Sequence, residues 1–159
     1  MRDEEFVSCL GGVYEHSHWV AECVRMFRPF INVADLRLAM QRTVDGAGET
    51  EKLVLIQAHP DLAGNLARAG GLTACSTREQ AGLGLDRLSD EAYELFSARN
   101  AAYRQRFGFP FIICALGTTQ QGVLEAFEQR TENSREVEIV ENLRQIHEIA
   151  RLRLEELLG

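Results

Sequence analysis

The chain has 159 residues, enough for one domain that buries its own apolar core and folds without disulfides or metal. Apolar residues make up 45% of it and charged residues 26%, which excludes disordered and collagen-like proteins. The net charge of −7 argues against a general nucleic-acid binder, because such a protein presents a basic face to phosphates.

No targeting or membrane segment is evident, so we expect a cytoplasmic protein with no membrane partner. The opening MRDEEF lacks the apolar core of a signal peptide. Lys52 is the single lysine, which leaves one candidate for Schiff-base chemistry. The four cysteines form no CxxC pair, so we expect free, mostly buried thiols and no metal site.

Helical spacing of apolar residues extends over nearly the whole chain. Asn32, with an acid three residues later, is a predicted N-cap, and Ser76 and Glu79 have the spacing of a capping box that predicts a helix start at Ser76. Gly108 and Pro110 are expected to end a long helix. The predicted helices cover residues 16–27, 32–45, 49–59, a segment from Ser76, 89–106, 119–132 and 134–158.

These patterns predict an all-α fold, a single domain over residues 1–159 built as a bundle of about seven to nine helices. Strand-like alternation of Val, Ile and Thr is almost absent. The segment FPFIICAL at 109–116 is the ambiguous part, because a short apolar run fits a buried strand or a buried helix equally well.

His59 is a candidate for proton transfer because it stands at the end of a predicted helix, immediately before Pro60. A residue that precedes proline is disfavoured in the α conformation, so the imidazole is held at a rigid corner between helix and loop. The commoner explanation of such a residue is structural: a histidine near a helix C-terminus is stabilised by the helix dipole.

Ser76, Glu79 and Arg153 each have a functional and a structural interpretation. Capping explains Ser76 and Glu79, although a helix start also binds anions and Glu79 could orient a histidine. Arg153 borders the apolar stripe of the last helix, where it either extends to water or binds an acid such as a substrate carboxylate. That stripe comprises Val140, Leu143, His147, Ala150, Leu154 and Leu157, with His147 as a packed core residue.

Five segments together resemble the family of 2-oxo-4-hydroxy-4-carboxy-5-ureidoimidazoline (OHCU) decarboxylases of urate degradation. They are YEHSHWVAE followed by RPF, AHPDLAG, STREQAGL, RFGFPFIICALG and RLRLEEL, and they span residues 14–157 in the family's order. His18 departs from the proline expected after the serine of the first segment. The chain ends in ELLG rather than an SKL-type peroxisomal signal, which favours a bacterial-style cytosolic enzyme.

The resemblance implies a homodimeric, all-α decarboxylase that needs no cofactor and converts OHCU to (S)-allantoin and carbon dioxide. It implies that His59 is the general acid or base and that Glu79 both orients the imidazole and touches the ligand. The other implied substrate contacts are Pro60, Ser76, Gln80, Phe111, Ile112, Ile113, Cys114, Ala115 and Arg153.

Two other classes of function remain as alternatives. A helical binding module that kept the scaffold but lost the reaction would bind ligands without releasing carbon dioxide. The joint presence of His59, Glu79, Gln80 and Arg153 argues against it. A metal-dependent hydrolase is the third possibility, and total metal analysis of the purified protein would test it.

Overall fold

A computed structural model describes residues 1–63 and 72–159, and all regular structure in those ranges is helical. Short 3-10 turns at Arg25–Phe27 and Leu85–Arg87 follow two of the helices. The eight α-helices of the described ranges are α1 (Asp3–Leu10), α2 (Trp19–Val24), α3 (Val33–Asp45), α4 (Glu49–Gln57), α5 (Ala74–Gly82), α6 (Asp90–Phe107), α7 (Gln120–Thr131) and α8 (Arg135–Leu158).

The all-α prediction is confirmed for these residues, with a helix number inside the expected range. Asn32 caps α3 as predicted, since its Oδ1 accepts a hydrogen bond of 2.9 Å from the Asp35 amide. Gly108 ends α6 with a φ of +81°, a left-handed conformation that glycine adopts without steric cost. In the sequence, Gly64, Gly70 and Gly71 predict breaks between short helical pieces, and all three lie outside the described residues.

Four details of the sequence-based assignment are wrong. The helix predicted over 16–27 begins only at Trp19, and its last three residues form a 3-10 turn. The helix containing Ser76 begins at Ala74 with Thr73 as its N-cap, because the Thr73 hydroxyl accepts a hydrogen bond from the Ser76 amide. The acidic opening residues form α1, for which no helix was predicted. The ambiguous run at 109–116 is neither strand nor helix.

The chain divides into two compact units, Met1–Ala58 with Ile146–Gly159, and His59–Gln145. Helix α8 therefore contributes its first half to the second unit and its second half to the first. In the first unit α2 packs against α1 and α3. The apolar side chains that this unit buries most completely include Val20, Val24, Met40, Val44, Leu55, Ile56, Ile146 and Leu154.

Aromatic rings form much of the core of the second unit, where α6 packs on α7. Phe111 stacks on Phe127 with ring centroids 3.9 Å apart, and its edge meets the Tyr103 ring at 5.3 Å. Tyr103 also contacts Phe107 and Phe109, at 4.6 and 6.1 Å. Each buried ring removes a large apolar area from water, so the segment after α6 is fixed by its own side chains.

A buried ion pair lies beside these rings. The Nε of Arg130 donates to Glu138 Oε1 over 2.8 Å, and the exposed fractions of the two side chains are 9% and 0%. Tyr103 donates its hydroxyl to the same carboxylate oxygen at 2.6 Å. The guanidinium also lies over the Phe111 ring, 4.3 Å from its centroid. Hydrogen bonds on both charges offset part of their cost of leaving water.

Exposure corrects two further expectations. Val140 and Leu157, placed in the apolar stripe of the last helix, are exposed, whereas Leu143, Ala150 and Leu154 are buried as predicted. The cysteines are free as expected but not mostly buried, since Cys9 and Cys23 are exposed and the other two half-buried.

In the described part of the chain, none of the helices combines the length and apolarity needed to cross a membrane.

We predict that Glu138→Gln lowers the free energy of unfolding by about 3–5 kcal/mol, because it leaves the buried Arg130 charge without its counter-ion. Urea unfolding followed by circular dichroism measures the change. Glu155→Gln serves as the control, because the exposed pair of Glu155 with Arg151 is screened by water and its loss leaves the midpoint nearly unchanged. Equal effects of the two substitutions would contradict the prediction.

Candidate active site

His59 lies where the chain leaves α4, two residues beyond its last residue, Gln57. Its side chain is buried, with 6% of the residue exposed, and it has contacts within the protein. Because Pro60 follows, the backbone at His59 has few accessible conformations. The prediction of a histidine fixed at a helix-to-loop corner is consistent with this placement.

The residues after Pro60 are held by the side-chain amide of Gln80 on α5. Gln80 Nε2 donates to the Asp61 carbonyl at 3.2 Å, and Gln80 Oε1 accepts from the Ala63 amide at 2.9 Å. Gln80 is 3% exposed. Ala63 has a φ of +52°, which a residue with a Cβ adopts only when its surroundings impose it. Gln80 therefore braces the loop next to His59.

Helix α6 supplies two more contacts to the same loop. Asn100 Nδ2 donates to the Leu62 carbonyl at 2.7 Å, and Arg104 Nε donates to Asp61 Oδ1 at 3.0 Å. The two side chains are one turn apart, so they lie on one face of the helix. Asn100 is 4% exposed, whereas the Arg104 side chain is 41% exposed. The stronger of the two restraints is the buried one, because water competes with the other.

Ser76, Glu79 and Gln80 share one face of α5, as their spacing of three and four residues requires. Ser76 and Gln80 are buried, and Glu79 is half-buried. All three have contacts within the protein. The sequence placed them correctly on one helix, although it began that helix two residues too late.

Residues 111–115 form a strap whose peptide groups bind helix side chains instead of another strand. The Ile112 amide donates to Asn142 Oδ1 at 3.0 Å, and the Cys114 amide donates to Gln145 Oε1 at 2.8 Å. Arg130 Nη1 donates to the Ile112 carbonyl at 2.6 Å. These three peptide groups of the strap are thus satisfied without regular secondary structure.

Arg153 belongs to the first unit and is 6% exposed, so of the two alternatives, extension to water or binding of an acid, the structure has the second. Its Nη1 lies 2.7 Å from Glu15 Oε2 and donates to the Gly12 carbonyl at 3.3 Å. The Glu15 side chain is 1% exposed. The charge of Arg153 is therefore balanced inside the protein, by an acid that the sequence analysis did not single out.

His147 is hydrogen-bonded in the same unit rather than simply packed. Its Nδ1 lies 2.9 Å from the Tyr14 hydroxyl, and its Nε2 lies 2.9 Å from Asp45 Oδ1. Burial raises the pKa of Tyr14, and the negative charge of Asp45 raises it further.

In the described residues, no group of three or more His, Cys, Asp or Glu side chains is arranged to hold a metal ion.

Sequence reasoning did not identify Glu15, Asn100, Asn142 or Gln145. Glu15 lies within the motif YEHSHW, which was used for recognition but not for chemistry. Asn142 and Gln145 had a usable signal, because polar residues at three-residue spacing face the core side of α8. Asn100 had none, since a single asparagine in a polar helix is ordinary.

Buried tyrosines give this protein a predictable alkaline limit. Burial raises the pKa of Tyr103, with a further contribution from its hydrogen bond to Glu138, and burial raises that of Tyr14. Above pH ~10 the unfolded chain releases phenol protons that the folded chain retains, so stability falls as the pH rises.

We therefore predict that the urea midpoint falls between pH 9 and pH 11, and that the pH dependence is weaker in Tyr103→Phe. Absorbance at 295 nm provides the direct check. The folded protein should show less tyrosinate at pH 11 than the urea-unfolded chain. Equal absorbance in the two states would contradict burial of both phenols.

Comparison with known proteins identifies the family. The model of the family described as OHCU decarboxylase matches residues 1–155. A curated relative, the 2-oxo-4-hydroxy-4-carboxy-5-ureidoimidazoline decarboxylase of Haloferax volcanii, is 42% identical over 154 residues, which cover 97% of this chain and 89% of the relative.

Two solved structures are similar over essentially the whole chain. A crystal structure of (S)-allantoin synthase superposes with a TM-score of 0.80 at 32% identity, and this chain spans 51% of that protein. A crystal structure of OHCU decarboxylase in the presence of (S)-allantoin superposes with a TM-score of 0.74 at 25% identity, with 99% of this chain and 98% of that one covered. The chain belongs to the OHCU decarboxylase family and is a carboxy-lyase.

Proposed function

We propose that this protein converts OHCU to (S)-allantoin and carbon dioxide in the degradation of urate, with His59 as general acid or base. The observation that carries the proposal is the buried imidazole of His59 at a proline corner, in a chain of this family. The relative from Haloferax volcanii is named for the same decarboxylation.

The substrate itself accounts for the absence of a cofactor from the proposal. In OHCU the carboxylate is attached to a carbon next to a C=N bond. When carbon dioxide leaves, the electron pair of the broken C–C bond delocalises into that C=N bond, so no external electron sink is required. The protein must orient the substrate and surround the carboxylate with apolar groups. It must then deliver a proton to one face of the former C=N carbon, while the carbon that lost carbon dioxide becomes a carbonyl carbon as its hydroxyl releases a proton.

His59 is the group proposed to move the proton. It either accepts the proton of the substrate hydroxyl or delivers a proton to carbon after carbon dioxide has left, and both steps require a fixed imidazole. Glu79 is proposed to orient that imidazole, with Ser76 and Gln80 on the ligand. Because Gln80 already binds two backbone groups of the loop, it has one amide N–H left for substrate.

The strap is proposed to bind the substrate through its backbone. The amides of Ile112 and Cys114 donate to α8, and in an extended chain the intervening amide of Ile113 points to the opposite side. Within residues 1–63 and 72–159, no acceptor lies within hydrogen-bonding distance of the Ile113 amide. That amide would suit a carbonyl oxygen of the ligand, while Phe111 and Ala115 supply apolar surroundings.

Arg153 is proposed to hold polar oxygens of the substrate, as the resemblance implies. Its pairing with Glu15 bears on which oxygens these are. A guanidinium with its full charge would bind the carboxylate of the substrate and oppose its conversion to neutral carbon dioxide. A guanidinium already paired with an acid is better matched to uncharged carbonyl oxygens.

The homodimer and the cytoplasmic location rest on the resemblance and on composition.

The proposal predicts that His59→Asn removes nearly all turnover, a loss of at least about 10²-fold, while the fold is retained. OHCU is generated in solution from urate with uricase and hydroxyisourate hydrolase, and the circular dichroism signal of (S)-allantoin is followed. The matched control is His18→Asn, because His18 is exposed at the start of α2. We expect its rate to equal that of the unsubstituted protein.

Each outcome has a definite meaning. Acceleration that His59→Asn abolishes and His18→Asn preserves supports both the reaction and the role of His59. Turnover in His59→Asn at the unsubstituted rate would reject the role of the imidazole. A folded protein that binds allantoin but never accelerates the reaction would favour the binding module instead.

A further inference from the structure

We propose that Asn100 is a positioning residue for His59, acting through its hydrogen bond to the Leu62 carbonyl. The proposal rests on the proposed function, because it concerns the placement of the imidazole assigned to proton transfer. Asn100 belongs to α6, and neither its residue type nor its spacing singled it out in the sequence.

Several restraints act on the chain between His59 and Ala63. The ring of Pro60 fixes its own φ and limits the conformations of His59. Hydrogen bonds from Gln80 then hold the Asp61 carbonyl and the Ala63 amide. Leu62 lies between these two points, and Asn100 holds its carbonyl at 2.7 Å, the shortest of these three hydrogen bonds.

Without Asn100, the loop at Leu62 and Ala63 would relax to a different backbone conformation. Ala63 is in the left-handed region, with a φ of +52°, so the backbone at this point is strained. The Leu62 side chain is buried, and its carbonyl would lose its donor in a place that water reaches poorly. A change in the backbone at Leu62 and Ala63 would be transmitted through the rigid Pro60 to the backbone of His59. The imidazole of His59 would then rotate away from its present orientation.

An asparagine at position 100 is unfavourable for stability because one of its polar atoms is buried without a hydrogen bond to the described residues. Asn100 is 4% exposed, and its Oδ1 has no hydrogen-bond donor in the part of the chain that the structure describes. A leucine of similar volume would avoid this buried, unsatisfied oxygen. The contribution of the amide must therefore come from its Nδ2, which binds the Leu62 carbonyl.

Asn100 and Arg104, its neighbour one turn along α6, restrain the loop differently. Arg104 also contacts the loop, but it binds the side chain of Asp61 rather than the backbone. The two side chains of that pair are 41% and 30% exposed. An exposed ion pair between flexible side chains restrains a backbone weakly. Of the two contacts that α6 makes with the loop after His59, the buried hydrogen bond of Asn100 to the backbone is therefore the one that sets the conformation of the loop.

The test uses the substitutions Asn100→Ala, which removes the side-chain amide, and Asn100→Asp, which keeps its shape but replaces the donor with oxygen. We expect kcat for OHCU to fall about 10–100-fold with little change in KM, because a misplaced acid or base slows the chemical step more than binding. Asn32→Asp is the matched control, since Asn32 is exposed and aspartate caps α3 equally well. Its kcat should be unchanged.

A second readout follows the imidazole directly and does not depend on activity. The chain has four histidines, and His59 is the one that lies in the unit His59–Gln145. Nitrogen-15 labelling of histidine gives ring spectra in which His59→Asn identifies the His59 signals. We expect both Asn100 variants to shift the tautomer pattern or titration of His59 and to leave His16, His18 and His147 unchanged.

A merely structural role would lower the melting temperature without moving the His59 signals of the folded protein. The proposal is overturned if a folded Asn100 variant retains kcat within twofold, or if kcat falls while the His59 signals stay in place. Either substitution is sufficient, so a variant that does not fold leaves the other to decide. If the unsubstituted protein fails to accelerate the reaction, the proposed function fails, and the ring spectra still test the positioning.

Discussion

The buried pair of Arg130 and Glu138 is the interaction on which the second unit depends. Its guanidinium donates in three directions, to Glu138, to Asn142 and to the Ile112 carbonyl, and so it joins α7, α8 and the strap. An isolated charge in this core would be strongly unfavourable, and removal of either partner would leave one. The pair thereby fixes the strap in one conformation, which a purely apolar contact between the same elements would specify less sharply.

Backbone groups near the candidate site are held by side-chain amides rather than by strands. Gln80 and Asn100 bind the loop after His59, and Asn142 and Gln145 bind the strap. An amide offers both a donor and an acceptor without a charge, so it can satisfy a buried peptide group without adding net charge to the site. That property suits a decarboxylase, in which a stray charge would stabilise the carboxylate that must leave.

The sequence predicted most of the helices, although not α1, and it did not predict the contacts among them. Asn32 and Gly108 mark helix ends through local chemistry, and the structure agrees at both. Ser76 misled because a capping box needs only two residues, and Thr73 was the better cap. Partners of the site residues, such as Leu62 for Asn100 and Glu15 for Arg153, lie 38 and 138 positions away, and no local pattern encodes them.

The first unit is assembled from both ends of the chain, and this has a consequence for its biosynthesis. Residues up to Ala58 emerge from the ribosome first, yet the apolar residues Ile146 and Leu154 that complete their unit come last. At about 5–20 residues per second, the early helices wait roughly 5–20 s for those partners. During that interval the apolar side chains of the early helices that pack in this unit remain open to water.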